Sequence, residues 1–325
     1  MAAMALAAAT FSHVANAADA PAAPQPQKIA PDIWLIPGGF PPRREPDGNT
    51  TILVAPKGLI VFDTGRHVWH TQAIEAFAQA RHAPILAIFN SHWHLDHTSG
   101  NLALKRVHPE AKVYASEAIT DALKGFLPNS MKDDRDYLAS GQAAPETAED
   151  IRGDIAVIEE GAALIPDVPI KASQTMIVGG RRLDVHLARG AATAGDVWIY
   201  DARRRTAIVG DLVTLPAPFL DTACPAGWSK AMGEVWSTPF KIAVPGHGPA
   251  MTRTQFAAYR QAFDAFLECS AGATDKAACA AGWVDRVKPM LDPGDLALKR
   301  ARGMTQDYVD LLRQNGGKSP YCTSA

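Results

Sequence analysis

Short apolar runs separated by Gly, Pro and Asn dominate the first third of the chain. Ile33–Ile36, Thr51–Ala55 and Leu59–Phe62 each predict a strand. Thr71–Arg81 places Ile74, Phe77 and Ala78 at helical spacing, and Pro84 follows its end. Ile85–Phe89 reads as a buried strand and Val113–Ala115 as the next one. Residues 117–165 lose this pattern. They are charged, sparse in apolar groups and broken by Pro128, Gly141, Pro145 and Gly153, so irregular helices forming an insertion or lid are expected there. Strand signals resume at Thr175–Val178, Arg182–Leu187, Val197–Tyr200, Thr206–Val209 and Lys241–Val244. Thr252-x-x-Gln255 forms a capping box, and Phe256, Tyr259, Phe263 and Phe266 give the helix behind it an apolar stripe. From Asp275 the pattern stays helical, with Tyr308, Leu311 and Leu312 on one face and Gly316 at the stop. Trp198, Tyr200 and Trp236 fit the core. Nothing marks a boundary after residue 32, so 32–325 reads as one αβ domain with a C-terminal helical extension.

Composition narrows the class. The chain has 325 residues, 47% hydrophobic and 20% charged, which excludes a disordered or fibrous protein. Lys and Arg total 32 against 34 Asp and Glu, so no basic field gathers nucleic acid. No uncharged apolar run is long enough to span a bilayer. The expected partner is a small-molecule substrate. Residues 1–17 resemble a secretory signal: an apolar stretch Met1–Phe11, then Ala15-Asn16-Ala17 as an A-x-A site, without the usual basic start. His13 falls inside it. Residues 18–31, rich in Pro and Ala, read as a linker. The expected location is periplasmic or secreted. The four cysteines, Cys224, Cys269, Cys279 and Cys322, suit an oxidising compartment and predict at least one disulfide. Three pairings are open, Cys269 and Cys279 being the most local pair.

The chemistry concentrates after the strand Ile85–Phe89. His92, His94, Asp96 and His97 form H-x-H-x-D-H. Imidazole and carboxylate are ligands for zinc and related ions. Alternate side chains of an extended loop share a face, so His92 and His94 can grip one metal. After a turn, Asp96 and His97 can face a second. A helix is expected to start near Ser99, where its N-terminal dipole favours the carboxylate. Two later segments also carry a ligand-type residue just past an apolar strand. Ala207–Asp211 ends a strand in Gly-Asp, and Ile242–Gly248 ends one in Gly-His-Gly around His247. Trp93 packs against this loop or lines a pocket. Pro216–Pro225, with Phe219, forms a pocket wall or a covering loop tied by Cys224. His67 and His70 read as surface or capping residues, and His82 and His108 as polar helix ends.

With these motifs in this order the chain resembles the metallo-β-lactamase superfamily, from about Ile33 to Met251. Val61-Phe62-Asp63-Thr64-Gly65 matches the first motif, His92–His97 the second, Asp211 the fourth and His247 the fifth. The resemblance implies an α/β fold, a four-layer αββα sandwich with the site at one edge between two sheets. It implies Asp63 as an inner support of the ligand loop and Asp211 as a carboxylate shared by two metals. The third motif, Gly-His-Thr-x-Gly-Asp in the family, departs here: Ala192 stands where the His belongs, followed by Thr193, Gly195 and Asp196. One zinc is therefore expected to bind tightly through Asp96, His97, Asp211 and His247. The second, left with His92, His94 and the shared Asp211, is expected to be weak or absent. His186 lies six residues upstream of Ala192 and reads as a strand-face residue rather than a replacement.

The expected activity is zinc-dependent hydrolysis. Metal-bound hydroxide would attack an ester, thioester, lactone, amide (β-lactam included) or phosphoester, with Asp96 orienting the nucleophile. Two other readings use the same scaffold: a non-catalytic or accessory periplasmic metal-binding protein, and a mononuclear iron oxygenase, which Ala192 disfavours by removing an imidazole.

Overall fold

A computed structural model describes residues 22–322, so the signal-like segment and His13 lie outside the described residues. Among the described residues, thirteen strands form two sheets. The first half of the chain supplies β1 (Gln27–Ala30), β2 (Ile33–Ile36), β3 (Thr50–Ala55), β4 (Gly58–Phe62), α1 (Val68–Ala80), β5 (Ile85–Phe89), α2 (Leu95–Thr98), α3 (Asn101–Val107) and β6 (Lys112–Ser116). Three inserted helices follow, α4 (Ala118–Ala122), α5 (Phe126–Ala139) and α6 (Pro145–Glu159), and then β7 (Val168–Ile170). Strands β1 to β7 lie in sequence order in one sheet, antiparallel up to β4 and parallel from β4 to β7.

The second half supplies β8 (Gln174–Val178), β9 (Arg181–Arg189), β10 (Gly195–Asp201), β11 (Thr206–Thr214), α7 (Pro225–Ser237), β12 (Ile242–His247) and β13 (Met251–Thr252). These strands form the second sheet in reversed order, with only β11 and β12 parallel. Helices α8 (Arg253–Ala271), α9 (Lys276–Val287) and α10 (Asp295–Gln314) complete the chain.

The strand runs are continuously apolar because both sheet faces are buried. Successive side chains point to opposite faces. On β3 and β4, Leu53, Ile60 and Phe62 enter the core between the sheets, while Ile52, Leu59 and Val61 meet Ile74 and Phe77 of α1. On β10, Val197 and Ile199 face the first sheet, whereas Trp198 and Tyr200 face the outer helices. Those helices bring Trp228, Phe256, Phe263 and Trp283, all fully buried, each aromatic side chain contributing roughly 2–3 kcal/mol by burial. The layers are thus helix, sheet, sheet, helix. The capping box forms, Thr252 accepting from Gln255 N while Gln255 Oε1 accepts from Thr252 N.

Three expectations need correction. Residues 18–31 are not wholly linker: Gln27–Ala30 pairs antiparallel with β2, and Ile29 and Ala30 reach the inter-sheet core. Backbone pairing with an adjacent sheet edge outweighs the Pro- and Gln-rich composition. The helix expected near Ser99 is α3, which starts at Asn101, but the carboxylate is not at its N-terminus: Asp96 lies in the first turn of a separate short helix, α2, that starts at Leu95, where the unpaired N–H groups favour a carboxylate. His67 and His70 are buried rather than superficial. His67 occupies the cap position of α1, but its ring is held between Asp47 and Asp150.

Disulfides join Cys224 to Cys322 and Cys269 to Cys279, which fits a non-cytoplasmic location. No helix among the described residues is long and apolar enough to cross a membrane.

Candidate metal centre

The ligand-type residues sit where strands give way to loops. The stretch from His92 to His97 leaves the end of β5, and His247 ends β12. Asp211 lies within β11 at a break in its pairing with β12, beside Gly210, whose φ is +51°. That irregularity swings the carboxylate out of the ladder toward the sheet edge. Gly246 lets the two strands close there, since a Cβ would overlap Asp211 Oδ1.

Four side chains meet at one point. His97 Nε2 is 3.2 Å from Asp211 Oδ1, 3.2 Å from His247 Nε2 and 3.5 Å from Asp96 Oδ2. His247 Nε2 is 3.1 Å from Asp96 Oδ2 and 3.7 Å from Asp211 Oδ1. Asp211 also turns to the neighbouring group, with Oδ2 3.6 Å from His92 Nε2. Two clusters therefore could hold metal ions: Asp96, His97 and His247 in one, His92 and His94 in the other, with Asp211 between them.

Hydrogen bonds around the clusters decide which nitrogens face inward. Ser91 Oγ donates to Asp63 Oδ2 and so accepts from His92 Nδ1 at 2.8 Å. His97 Nδ1 donates to the same Asp63 oxygen at 2.9 Å. Both rings are left with Nε2 free and inward. Thr222 Oγ1 donates to the Ala192 carbonyl at 3.0 Å and therefore accepts from His94 Nε2, leaving Nδ1 of His94 for a metal. Ala192 is buried beside this relay and offers no donor of its own.

The donor set fits a divalent cation. His92 Nε2 and both Asp211 oxygens are buried and have no aligned hydrogen-bond partner, a costly state unless a cation completes them. Burial, with His97 next, holds His92 well below its ordinary pKa, so it presents the neutral imidazole that binds metal. Burial opposes a charge on His97, but Asp211, Asp96 and Asp63 outweigh it and raise that ring well above its usual value. A field that holds a proton so firmly also draws a metal ion.

His186 does not approach the cluster by any contact. It stacks on Trp198 at 3.8 Å on the sheet face. Trp93 is buried against Phe126 of the insertion and also lines a cavity of about 510 Å³ at the site. Phe219 lies 5.0 Å from the His247 ring and Phe40 5.5 Å, so the 216–225 loop is both wall and tied cover. Sequence reasoning missed Thr222, Asn49 and Arg66. Asn49 Nδ2 donates to Pro245 O and Gly248 O, bracing the His247 loop from the opposite sheet. No local spacing signals such contacts, since their partners lie far apart along the chain.

A four-layer sandwich with a histidine–aspartate cluster at its sheet edge defines an αβ protein whose clustered side chains could hold metal ions. The chain belongs to the metallo-beta-lactamase superfamily, which residues 43–254 match and whose members bind metals, usually zinc. It is similar in fold to a metallo-beta-lactamase from Pontibacter korlensis, with TM-score 0.53 and 21% identity over 73% of this chain and 99% of that one. It is also similar to the stereoselective inverting sec-alkylsulfatase Pisa1 from Pseudomonas sp., with TM-score 0.58 and 18% identity over 90% of this chain and 51% of that one. In sequence it is 31% identical over 101 residues to the atrochrysone carboxyl ACP thioesterase of Aspergillus fumigatus. That match spans 30% of this chain and 32% of the thioesterase.

Proposed function

We propose that the protein is a zinc-dependent hydrolase, exported to the periplasm or secreted, that cleaves an ester, thioester or related acyl or sulfate bond of a small molecule. The observation that carries this reading is the convergence of Asp96, His97, Asp211 and His247 beside a cavity of about 510 Å³. A metal held there would make hydroxide available near neutral pH and polarise a carbonyl or sulfuryl oxygen.

The chain's own groups supply the rest. Asp63, through Ser91 and directly, keeps His92 and His97 aimed inward. Asp96 has Oδ2 in the cluster, 3.1 Å from His247 Nε2, and the residue also borders the cavity, so its carboxylate can orient an attacking water. Phe40, Trp93, Phe126 and Phe219 give the cavity apolar walls that exclude water and hold a hydrocarbon or aromatic body. The thioesterase likeness supports an acyl substrate, and the alkylsulfatase likeness a sulfate ester.

The test is a panel of thioesters, esters, lactones, β-lactams, phosphodiesters and alkyl sulfates, each run with and without a chelator. Turnover of at least one class should vanish with chelator and return with zinc. Firm metal binding without turnover of any class would favour the accessory reading instead.

A further inference from the structure

Three arginines line the cavity beside the candidate metal centre: Arg44, Arg66 and Arg300. Two of them are committed. Arg44 pairs with Asp150 at 2.6 Å and Glu149 at 2.8 Å, and Arg66 pairs with Asp154. Arg300 differs. No carboxylate lies within 4.0 Å of its guanidinium among the described residues, and its hydrogen bonding is one long contact of 3.4 Å to the Phe40 carbonyl. It is half-buried, and burial lowers its pKa. An unpaired guanidinium withdrawn from water calls for an anion.

Its position is defined. The guanidinium sits 4.8 Å from the Phe40 ring, which also neighbours the His247 ring at 5.5 Å and the Phe219 ring at 6.2 Å. Arg300 and Phe40 also border a second cavity of about 340 Å³ that reaches His247. It comes from α10, beyond the residues that match the superfamily. That helix is anchored to the site wall: Tyr308 donates to Asp221 Oδ2 at 2.6 Å, and Cys322 is bonded to Cys224.

We propose that Arg300 is a specificity residue that receives a carboxylate carried by the substrate, about one aromatic ring away from the bond to be cleaved. This rests on the hydrolase reading for the bond, but not for the binding. A carboxylate suits one guanidinium fork, which offers two parallel N–H groups. Glu45, Asp134 and Asp221 also border the cavity and oppose a more highly charged phosphate.

Titration calorimetry on the zinc-loaded protein tests this, with dicarboxylates of four to seven carbons against monocarboxylates of equal length. One dicarboxylate should bind about tenfold more tightly than its monocarboxylate partner. Arg300→Met should bring the two to equal affinity and Arg300→Lys should retain part of the difference, both variants melting like the wild type. A wild type without preference, or a preference that survives Arg300→Met, would overturn the proposal. Because the readout is equilibrium binding, a protein that prefers dicarboxylates yet hydrolyses nothing on the panel would sink the hydrolase reading alone.

Discussion

Asp63 has φ +61° and accepts from Ser91 N, Ser91 Oγ and His97 Nδ1 in a fully buried pocket. Replacing it with Asn removes the negative charge and sets an NH₂ group against at least one of these donors, so the common anchor of His92 and His97 weakens. Asp63→Asn should weaken metal affinity by about 10–100-fold, as losses of a ligand's supporting partner usually do. Chelator competition would measure this, and unchanged affinity would remove Asp63 from the supporting role. At position 192 the expectation runs the other way. We expect wild-type protein to keep about one zinc through dialysis and Ala192→His to raise that toward two. Thr222 contacts only the backbone carbonyl of Ala192, so the substitution leaves the His94 relay in place. Elemental analysis showing two retained zincs in the wild type would show that the His92–His94 cluster needs no third imidazole.

Helix α6 is held to the metal-loop side by ion pairs in addition to the apolar cluster that its Ile158 shares with Trp93 and Leu95. Asp150 meets Arg44 and His67, Asp154 meets Arg66, and Glu146 meets Arg43. Burial works against charge on His67, yet hydrogen bonds to Asp150 and Asp47 raise its pKa from 6.5 to about 9. The folded chain therefore holds this proton more firmly than the unfolded one. The stabilisation is complete below pH ~6.5 and is lost as pH rises through about 9. Its size is on the order of 2 kcal/mol after allowance for partial solvent screening. Urea midpoints should fall between about pH 6.5 and about pH 9.5, and His67→Gln should flatten that fall. Burial raises Asp154 to about 6 and Asp196 to about 7, and His97 is also raised; all three lose stability in the same direction as pH rises, so the difference between the wild type and His67→Gln, rather than the fall itself, reads the His67 contribution. A wild-type midpoint independent of pH across this window would mean that His67 is not the clasp.

At the scale of the molecule, two covalent links hold unequal loops. Cys224–Cys322 spans 98 residues and ties the chain end to the wall that carries Phe219 and Thr222. Cys269–Cys279 spans only 10. Closure entropy grows with loop length, so Cys322→Ser should cost roughly 4 kcal/mol and Cys279→Ser roughly 2–3 kcal/mol. Equilibrium unfolding of the two variants would rank them. The longer link should also govern the site: reduction should loosen the Thr222–His94 contact and lower metal retention. Equal losses in the two variants, with metal retention unchanged, would show that the wall stands without its covalent tie.

The strands were legible because a sheet buried on both faces leaves uninterrupted apolar runs, and Ile85–Phe89 was read to the residue. The capping box at Thr252, the insertion at 117–165 and the ligand-type residues at strand ends were legible for a similar reason: each is written in neighbours along the chain. The strand Gln27–Ala30 was not, since its stability comes from a partner strand rather than from its own composition. The cysteine pairing was open to the sequence in the same way, because connectivity depends on which chain ends meet. Burial of His67 between Asp47 and Asp150, the relay from Ala192 through Thr222 to His94, and the isolation of Arg300 beside Phe40 were decided only by the tertiary structure. Residue types and their order name the donors. Which nitrogen faces inward, and which cation is left without a counter-ion, depends on contacts between segments up to 260 residues apart.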